Sequence, residues 1–316
     1  INANNNFITL YPPSVKDILS SQIYTQTHLG LVKYDVKSLV VEPGIANDWD
    51  VDNSGTVYTF HLDTKARFND DPCFSNGNGR RITAEDFKYT FTLLSTQNPD
   101  NKNFFGTVDK IVGAKQHYKA SVDKTQLPEI SGIKVVNDST LQLTIESPYD
   151  LFIYYMANPS ASVLAKEAVE KYGNKLLVGA GPFCISKIPA AGEPLWLSRN
   201  ENFFQTDDEL NQLPYLDTVI FSFVSSPKKE IKMFMNNELD LVMNLSNEYV
   251  NDILDEHIAD FESNPPLYIL SRNEKFTNRG DYILLKSKVS GFFTNKMETI
   301  DLTRVYVNKN TKDKSR

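Results

Sequence analysis

Residues 83–94 read Thr-Ala-Glu-Asp-Phe-Lys-Tyr-Thr-Phe-Thr-Leu-Leu. A threonine followed three places later by a carboxylate, just ahead of a periodic apolar run, marks a helix start. The two side chains can satisfy amide groups that the first turn leaves without partners. Phe87, Phe91 and Leu94 recur at i, i+4 and i+7 and share one face. Tyr89 is about 200° around the helix from Phe87 and points off that stripe. The segment predicts a helix that buries phenylalanines and turns a tyrosine elsewhere.

The flanking segments mix both periodicities. Upstream, Tyr58-Thr-Phe-His-Leu62 alternates as a strand after the turn Asn53-Ser-Gly55. Val15 to Tyr24 carries Val15, Ile18, Leu19 and Ile23 at helical spacing, with Ser14 as the expected N-cap. Downstream, Leu141 to Ile145 alternates, and Ser162 to Tyr172 reads as a helix closed by Gly173. Leu195 to Leu197 and Val219 to Val224 read as strands. Ser226-Pro227 opens a helix with Ile231, Phe234 and Met235 inward, and Leu239 to Met243 follows as a buried strand. No repeat is present at solenoid periods. The fold class is α/β, with helices packed on mixed sheets in two lobes.

At 316 residues the chain exceeds the usual size of one core, so two compact units are expected. Hydrophobic residues are 41% and charged residues 23%, which suits a globular protein. A formal charge of −7 disfavours nucleic acid and anionic lipid as partners. The dense basic stretch is the tail Lys309 to Arg316. No apolar run is long enough for a membrane helix. The opening Ile1-Asn-Ala-Asn-Asn-Asn reads as a trimmed terminus, without a leader.

The chemistry of an enzyme is not legible. His28, His61, His117 and His257 lie outside any metal-ligand spacing, and no Walker A, GxGxxG or GxSxG sequence occurs. Asp70-Asp71 lack the further spaced oxygens of a calcium loop and read as a solvated turn. Gly77-Asn-Gly79 reads as a flexible loop. Cys73 and Cys184 are either one disulfide or two separate thiols, and their spacing is not that of a zinc site. No metal and no cofactor are expected.

Several segments together resemble a known family. They are His28-Leu-Gly-Leu-Val-Lys-Tyr-Asp35, Val41-Glu-Pro-Gly-Ile-Ala-Asn-Asp-Trp49, Tyr58 to Leu62 with Arg67-Phe-Asn-Asp70, Thr83 to Phe91, Lys166-Glu-Ala-Val-Glu-Lys-Tyr-Gly173, Gly179-Ala-Gly-Pro-Phe183, Arg199-Asn-Glu-Asn-Phe203, Pro214-Tyr-Leu-Asp217 and Asn237-Glu-Leu-Asp240. In this order they resemble the extracellular solute-binding proteins of family 5, which serve dipeptide, oligopeptide and nickel ABC importers. The resemblance implies a periplasmic-binding-protein-like fold of type II, in the class C cluster. It also implies a non-enzymatic monomer, periplasmic or otherwise extracytoplasmic and in some members lipid-anchored, that captures peptides in an interlobe cleft and hands them to a membrane permease. Alternative ligands are a nickel chelate or an oligosaccharide. A different class is an interaction protein that docks on a membrane partner and binds no small molecule.

The resemblance assigns residues 1–37, 161–256 and 285–316 to a main lobe and 38–160 to a smaller inserted domain. The family's late-inserted third domain is expected at 257–284, where the chain instead moves on to Val289-Ser-Gly-Phe292 and Asp301 to Tyr306. Natural loss, engineered deletion and incomplete coverage all fit. On this reading the chain alone binds peptide weakly or not at all. The loop Asp71 to Arg80 departs from the short family loop. Tyr89 is the first ligand-binding candidate, because the matching family tyrosine faces ligand. Thr9, Leu10 and Tyr11 follow, from the early segment at the cleft floor. Phe104, Phe105 and Asn158, with Met156 and Ala157, are further candidates. Leu29 stands where many relatives carry glutamate, and Gly181 and Pro182 are expected to shape backbone.

Overall fold

A computed structural model describes residues 1–3, 7–175, 177–190, 192–245, 270–271, 282–286, 288–292 and 300–307. His257, most of the expected junction at 257–284 and the basic tail lie outside these. The chain divides into two units. The larger comprises residues 8–184 and 200–213, and the smaller comprises 1–7, 185–199 and 214–316.

In the larger unit, α1 (Ile18–Thr27) leads to a short antiparallel pair, β1 (Val32–Tyr34) and β2 (Val41–Pro43). A four-stranded antiparallel sheet follows, formed by β3 (Ala46–Val51), β4 (Val57–Leu62), β5 (Ile133–Asn137) and β6 (Thr140–Thr144) in the order β3-β4-β6-β5. Its register sets Phe60 opposite both Trp49 and Leu141. The alternation read in the sequence holds: Tyr58, Phe60 and Leu62 are buried, as are Leu141 and Leu143. Helix α2 (Ala84–Leu94) packs on β5 and β6, with Phe87, Phe91 and Leu94 fully buried. Each such side chain withdraws apolar area worth roughly 2–3 kcal/mol. The expected cap is present in part as hydrogen bonds to Asp86 Oδ2, from the Thr83 amide at 2.9 Å and the Thr83 hydroxyl at 3.2 Å. This unit holds residues 38–160 together with 8–37, 161–184 and 200–213, which the resemblance divides between two domains. The unit is completed by α3 (Ala114–Val122), α4 (Phe152–Met156), α5 (Lys166–Tyr172) and β7 (Phe183–Cys184).

Two helix starts differ from the sequence reading. The helix expected from Val15 begins at Ile18, and Asp17 rather than Ser14 caps it, accepting from the Ser20 amide at 2.8 Å. Pro12 and Pro13 lock a single 3₁₀ turn, Pro12–Ser14, and the Ser14 hydroxyl donates to the Asp100 carbonyl instead. The apolar spacing misled here because α1 buries polar residues, Ser20, Gln22, Gln26 and Thr27, beside Ile23 and Tyr24, and leaves Ile18 exposed. The helix expected from Ser162 starts at Lys166. The Val163 amide donates to the Leu29 carbonyl at 3.1 Å and the Leu164 amide to Thr90 Oγ1 at 2.9 Å, so the chain stays extended until those bonds are made. Gly173 ends α5 with φ +59°, as its position implied.

In the smaller unit, β8 (Leu195–Arg199) pairs antiparallel with β9 (Thr218–Phe221), which is shorter than expected. Helix α6 (Pro227–Met235) has Ser226 at its N-cap and buries Ile231 and Phe234, while Met235 is half-buried. Strand β10 (Leu241–Leu245) joins β11 (Leu270–Ser271) and β12 (Tyr282–Leu285) in the order β10-β12-β11, and β13 (Val289–Ser290) pairs with β14 (Tyr306–Val307). The first residues are sewn into this unit. Asn2 Nδ2 donates to Glu230 Oε1 at 2.7 Å, and the Ala3 amide donates to the Ser222 carbonyl at 2.9 Å. The Ser222 amide donates to the Ile1 carbonyl and the Val224 amide to Asn2 Oδ1, each at 2.9 Å, and these bonds end β9 early.

Candidate functional site

The early candidates form a turn held from several sides. The amides of Ile8 and Thr9 donate to Ser20 Oγ at 3.0 and 3.2 Å, and Thr9 Oγ1 accepts from the Tyr11 amide at 3.1 Å. The Pro12–Ser14 turn packs on a second 3₁₀ turn, Pro159–Ala161. Asn103 clasps it from another side, with Nδ2 reaching the carbonyls of Pro13 and Val15 at 3.0 and 2.9 Å. Thr9, Tyr11, Asn158 and Phe104 are thereby drawn to one region of the larger unit.

Tyr89 joins this region from α2. Burial, then the neighbouring Tyr89 and Asp100, push the Tyr11 phenol up to about 12. The Tyr89 phenol is also raised, by burial first and then by Glu170 and Glu167 on α5. Both phenols stay protonated at neutral pH. The Tyr89 phenol is a hydrogen-bond donor with a flat apolar face, suited to stacking on an extended chain and donating to its carbonyls, whereas Tyr11, 6% exposed, lies in the core. Tyr89 is half-exposed, off the buried stripe of α2, as its place in the sequence implied.

The remaining candidates separate by burial. Leu10 is 4% exposed and Phe104 3%, so both side chains belong to the core. Phe104 stacks on Tyr118 with centroids 4.1 Å apart. Phe105 stands edge-on to Phe104 and is 72% exposed, presenting a bare aromatic face. Asn158 Oδ1 accepts from both the amide and the hydroxyl of Ser160, at 3.0 and 2.8 Å, so that oxygen caps a turn. Met156 and Ala157 are buried, as is Leu29. Gly181 does shape backbone. A Cβ on Gly181 would stand 2.4 Å from the Thr27 carbonyl carbon.

Cys73 and Cys184 are not bridged, and burial pushes each thiol up to about 12, far from a reactive thiolate. Among the described residues no three His, Cys, Asp or Glu side chains converge to hold a metal ion. Asp70 Oδ1 accepts from the Gly79 amide at 2.7 Å and from Asn202 Nδ2 at 3.0 Å. Asp71 Oδ1 accepts from the Cys73 amide and the Tyr172 hydroxyl, each at 2.7 Å. These carboxylates organise the loop. His61 is held by Asp50 at 3.2 Å, and His117 by Thr96 and the Pro128 carbonyl.

The profile of the bacterial extracellular solute-binding proteins, family 5 middle region, matches residues 40–295. The chain belongs to this family. Among its family 5 relatives, the periplasmic oligopeptide-binding protein OppA of Salmonella typhimurium is 26% identical over 249 residues, covering 75% of this chain and 41% of OppA. The dipeptide-binding protein of Escherichia coli is 26% identical over 219 residues, covering 67% of this chain and 38% of that protein. The chain thus spans about two fifths of the length of these relatives. The fold is that of the periplasmic binding proteins. The crystal structure of Haemophilus influenzae OppA in complex with RPPGFSPFR superposes with a TM-score of 0.64 at 20% identity, covering 84% of this chain and 48% of that one.

Family 5 motifs pointed to Tyr89 but not to what surrounds it. Arg80 forms paired bonds to Asp86 and Glu167, the latter 87 positions away. Asn69 binds Gly179 through both backbone and side chain, at 2.8 and 2.7 Å. The acidic residue three places after Thr83 was legible as a cap. Its second role as a partner of Arg80 had no local signal.

Proposed function

We propose that this chain is the ligand-holding part of the substrate-binding component of a bacterial ABC importer. It takes oligopeptides or dipeptides outside the inner membrane and presents them to a membrane permease. Family 5 members are solute-binding proteins, and no bond is made or broken in this reading. Among the described residues no helix is long and apolar enough to cross a membrane. The domain assignment drawn from the sequence, with 38–160 as the smaller inserted domain, belongs to this reading, as do a monomeric state and an extracytoplasmic location.

The observation that carries the ligand class is Tyr89, a partly exposed, protonated phenol on the flank of α2, off its buried stripe. It offers a stacking face and a donor, which suits a backbone rich in carbonyl acceptors, while Tyr11, 6% exposed, packs in the core. Tyr89→Ala removes one face and one donor. The test is ligand-observed NMR with mixed di- to pentapeptides, free amino acids, a nickel chelate and an oligosaccharide. Peptide lines should broaden in the presence of the protein and recover with Tyr89→Ala, while the other solutes stay sharp. No peptide broadening at millimolar concentration, or broadening that Tyr89→Ala leaves intact, would sink this assignment.

A further inference from the structure

We propose that Arg80 is a positioning residue for Tyr89, fixing the roll of α2 so that the phenol meets ligand at one place. The inference rests on the reading of Tyr89 as a ligand contact. A guanidinium has five N–H donors in a rigid fork, and here each is used. Nη1 and Nη2 grip the Asp86 carboxylate at 2.9 and 2.6 Å. Nε and Nη2 grip Glu167 at 2.6 and 2.9 Å. Nη1 also donates to the Arg81 carbonyl at 3.2 Å. The plane lies over Phe68 and Phe74, with Cζ 5.2 and 5.9 Å from the ring centroids.

The three partners come from different places. Asp86 is in the first turn of α2, Glu167 opens α5, and Phe74 comes from the loop Asp71 to Arg80. That loop is folded down: Phe74 is buried, and Asp71 accepts from the Tyr172 hydroxyl at the end of α5. A second fastening lies one turn along. Thr90 Oγ1 donates to the Asp86 carbonyl at 2.8 Å and accepts from the Leu164 amide at 2.9 Å. Asp86 and Thr90 are about 40° apart on α2, and Tyr89 sits about 60° from Asp86. Two fastenings on one side of a helix resist its rotation, and Tyr89 rides on the flank of that side. The phenol oxygen is roughly 8 Å from the helix axis, so a roll of about 10° displaces it by roughly 1.5 Å, enough to spoil a hydrogen bond. Lysine cannot reproduce the arrangement, having three donors and no fork.

The test is a double-mutant cycle on peptide affinity with Arg80→Lys and Tyr89→Ala, using the tightest peptide found with the parent chain. Asp52→Ala, which frees the Thr56 and Val57 amides in the turn between β3 and β4, serves as a control that weakens the same unit away from the clasp. All variants are compared at a temperature where circular dichroism shows them folded. Arg80→Lys should weaken binding about tenfold, and the double variant should bind no worse than Tyr89→Ala. Asp52→Ala should leave affinity unchanged. Parent-like affinity in Arg80→Lys, losses that multiply, or an equal loss in Asp52→Ala would overturn the proposal. The ring resonance of Tyr89 in tyrosine-labelled protein, assigned by its loss in Tyr89→Phe, should also move in Arg80→Lys. An unmoved resonance overturns the clasp whether or not peptide binds. Failure of the parent to bind peptide, with the resonance moved, counts against the ligand class alone.

Discussion

Replacing His28 by phenylalanine should remove much of the acid sensitivity of the larger unit. His28 is 2% exposed, its ring stacked on Tyr24 with centroids 4.2 Å apart and Nδ1 2.8 Å from Thr27 Oγ1. The backbone of Gly179 lies against the ring. Burial drags its pKa from 6.5 down to about 3, opposed only in part by the Val178 carbonyl. The folded protein therefore holds the imidazole neutral, while the unfolded chain protonates it at its ordinary value. Stability from this group is fully present above pH 6.5, falls as pH drops below that value, and is all lost once pH passes about 3. The cost is about 2 kcal/mol at about pH 5 and approaches roughly 5 kcal/mol below the folded pKa. Glu167, whose carboxyl Arg80 holds below its usual range, adds a loss of the same sign, so the comparison must be between variants. Trp196 lies in the smaller unit, and a Trp196→Phe background leaves Trp49 as the lone tryptophan reporter in the larger one. Urea unfolding followed by Trp49 fluorescence near neutrality and near pH 5 gives the drop for parent and for His28→Phe. The parent should lose about 2 kcal/mol more than the variant. Equal losses in both would show that His28 is not kept neutral by burial, and the argument fails.

Gly181→Ala should unfold or severely destabilise the larger unit, by about 3 kcal/mol or more, because its Cβ meets backbone of residues 26–28 that cannot swing aside; a thermal melt within a few degrees of the parent would contradict this. Asp17→Ala should cost about 1 kcal/mol in urea unfolding, since it frees the Ser20 amide, and Asp17→Asn should restore most of that loss. Phe60→Ala, at the centre of the four-stranded sheet, should cost about 3–5 kcal/mol by the same measurement. Spectrophotometric titration should show phenols ionising near pH 12, Tyr11 and Tyr155 among them, and one fewer in Tyr11→Phe; a Tyr11→Phe curve identical to the parent's would refute the burial of Tyr11.

Much of the architecture was legible because the relevant signals are local. The stripe Phe87, Phe91 and Leu94 and the alternation Tyr58, Phe60 and Leu62 need only helical and strand geometry, and both faces are buried as read. The position of Tyr89 off that stripe was legible for the same reason. Helix starts at Val15 and Ser162 were misplaced because distant groups decided them: the Asp100 carbonyl takes the Ser14 hydroxyl, and Thr90 takes the Leu164 amide. Leu10, Tyr11 and Phe104 looked like ligand contacts and are buried, since sequence position cannot distinguish a buried side chain from an exposed one. Phe105, next door, is the exposed member of that pair.

The order of residues along the chain alone settled the family, the helical and strand periods and the lack of a catalytic motif, because each depends on neighbours within a turn or two or on motif order. Folding in three dimensions decided the rest. It made Arg80 the joint between Asp86 and Glu167, turned His28 into a buried neutral ring, and buried Tyr11 in the core. Charge, burial and contact between residues far apart in the chain are properties of the folded packing, and no local pattern encodes them.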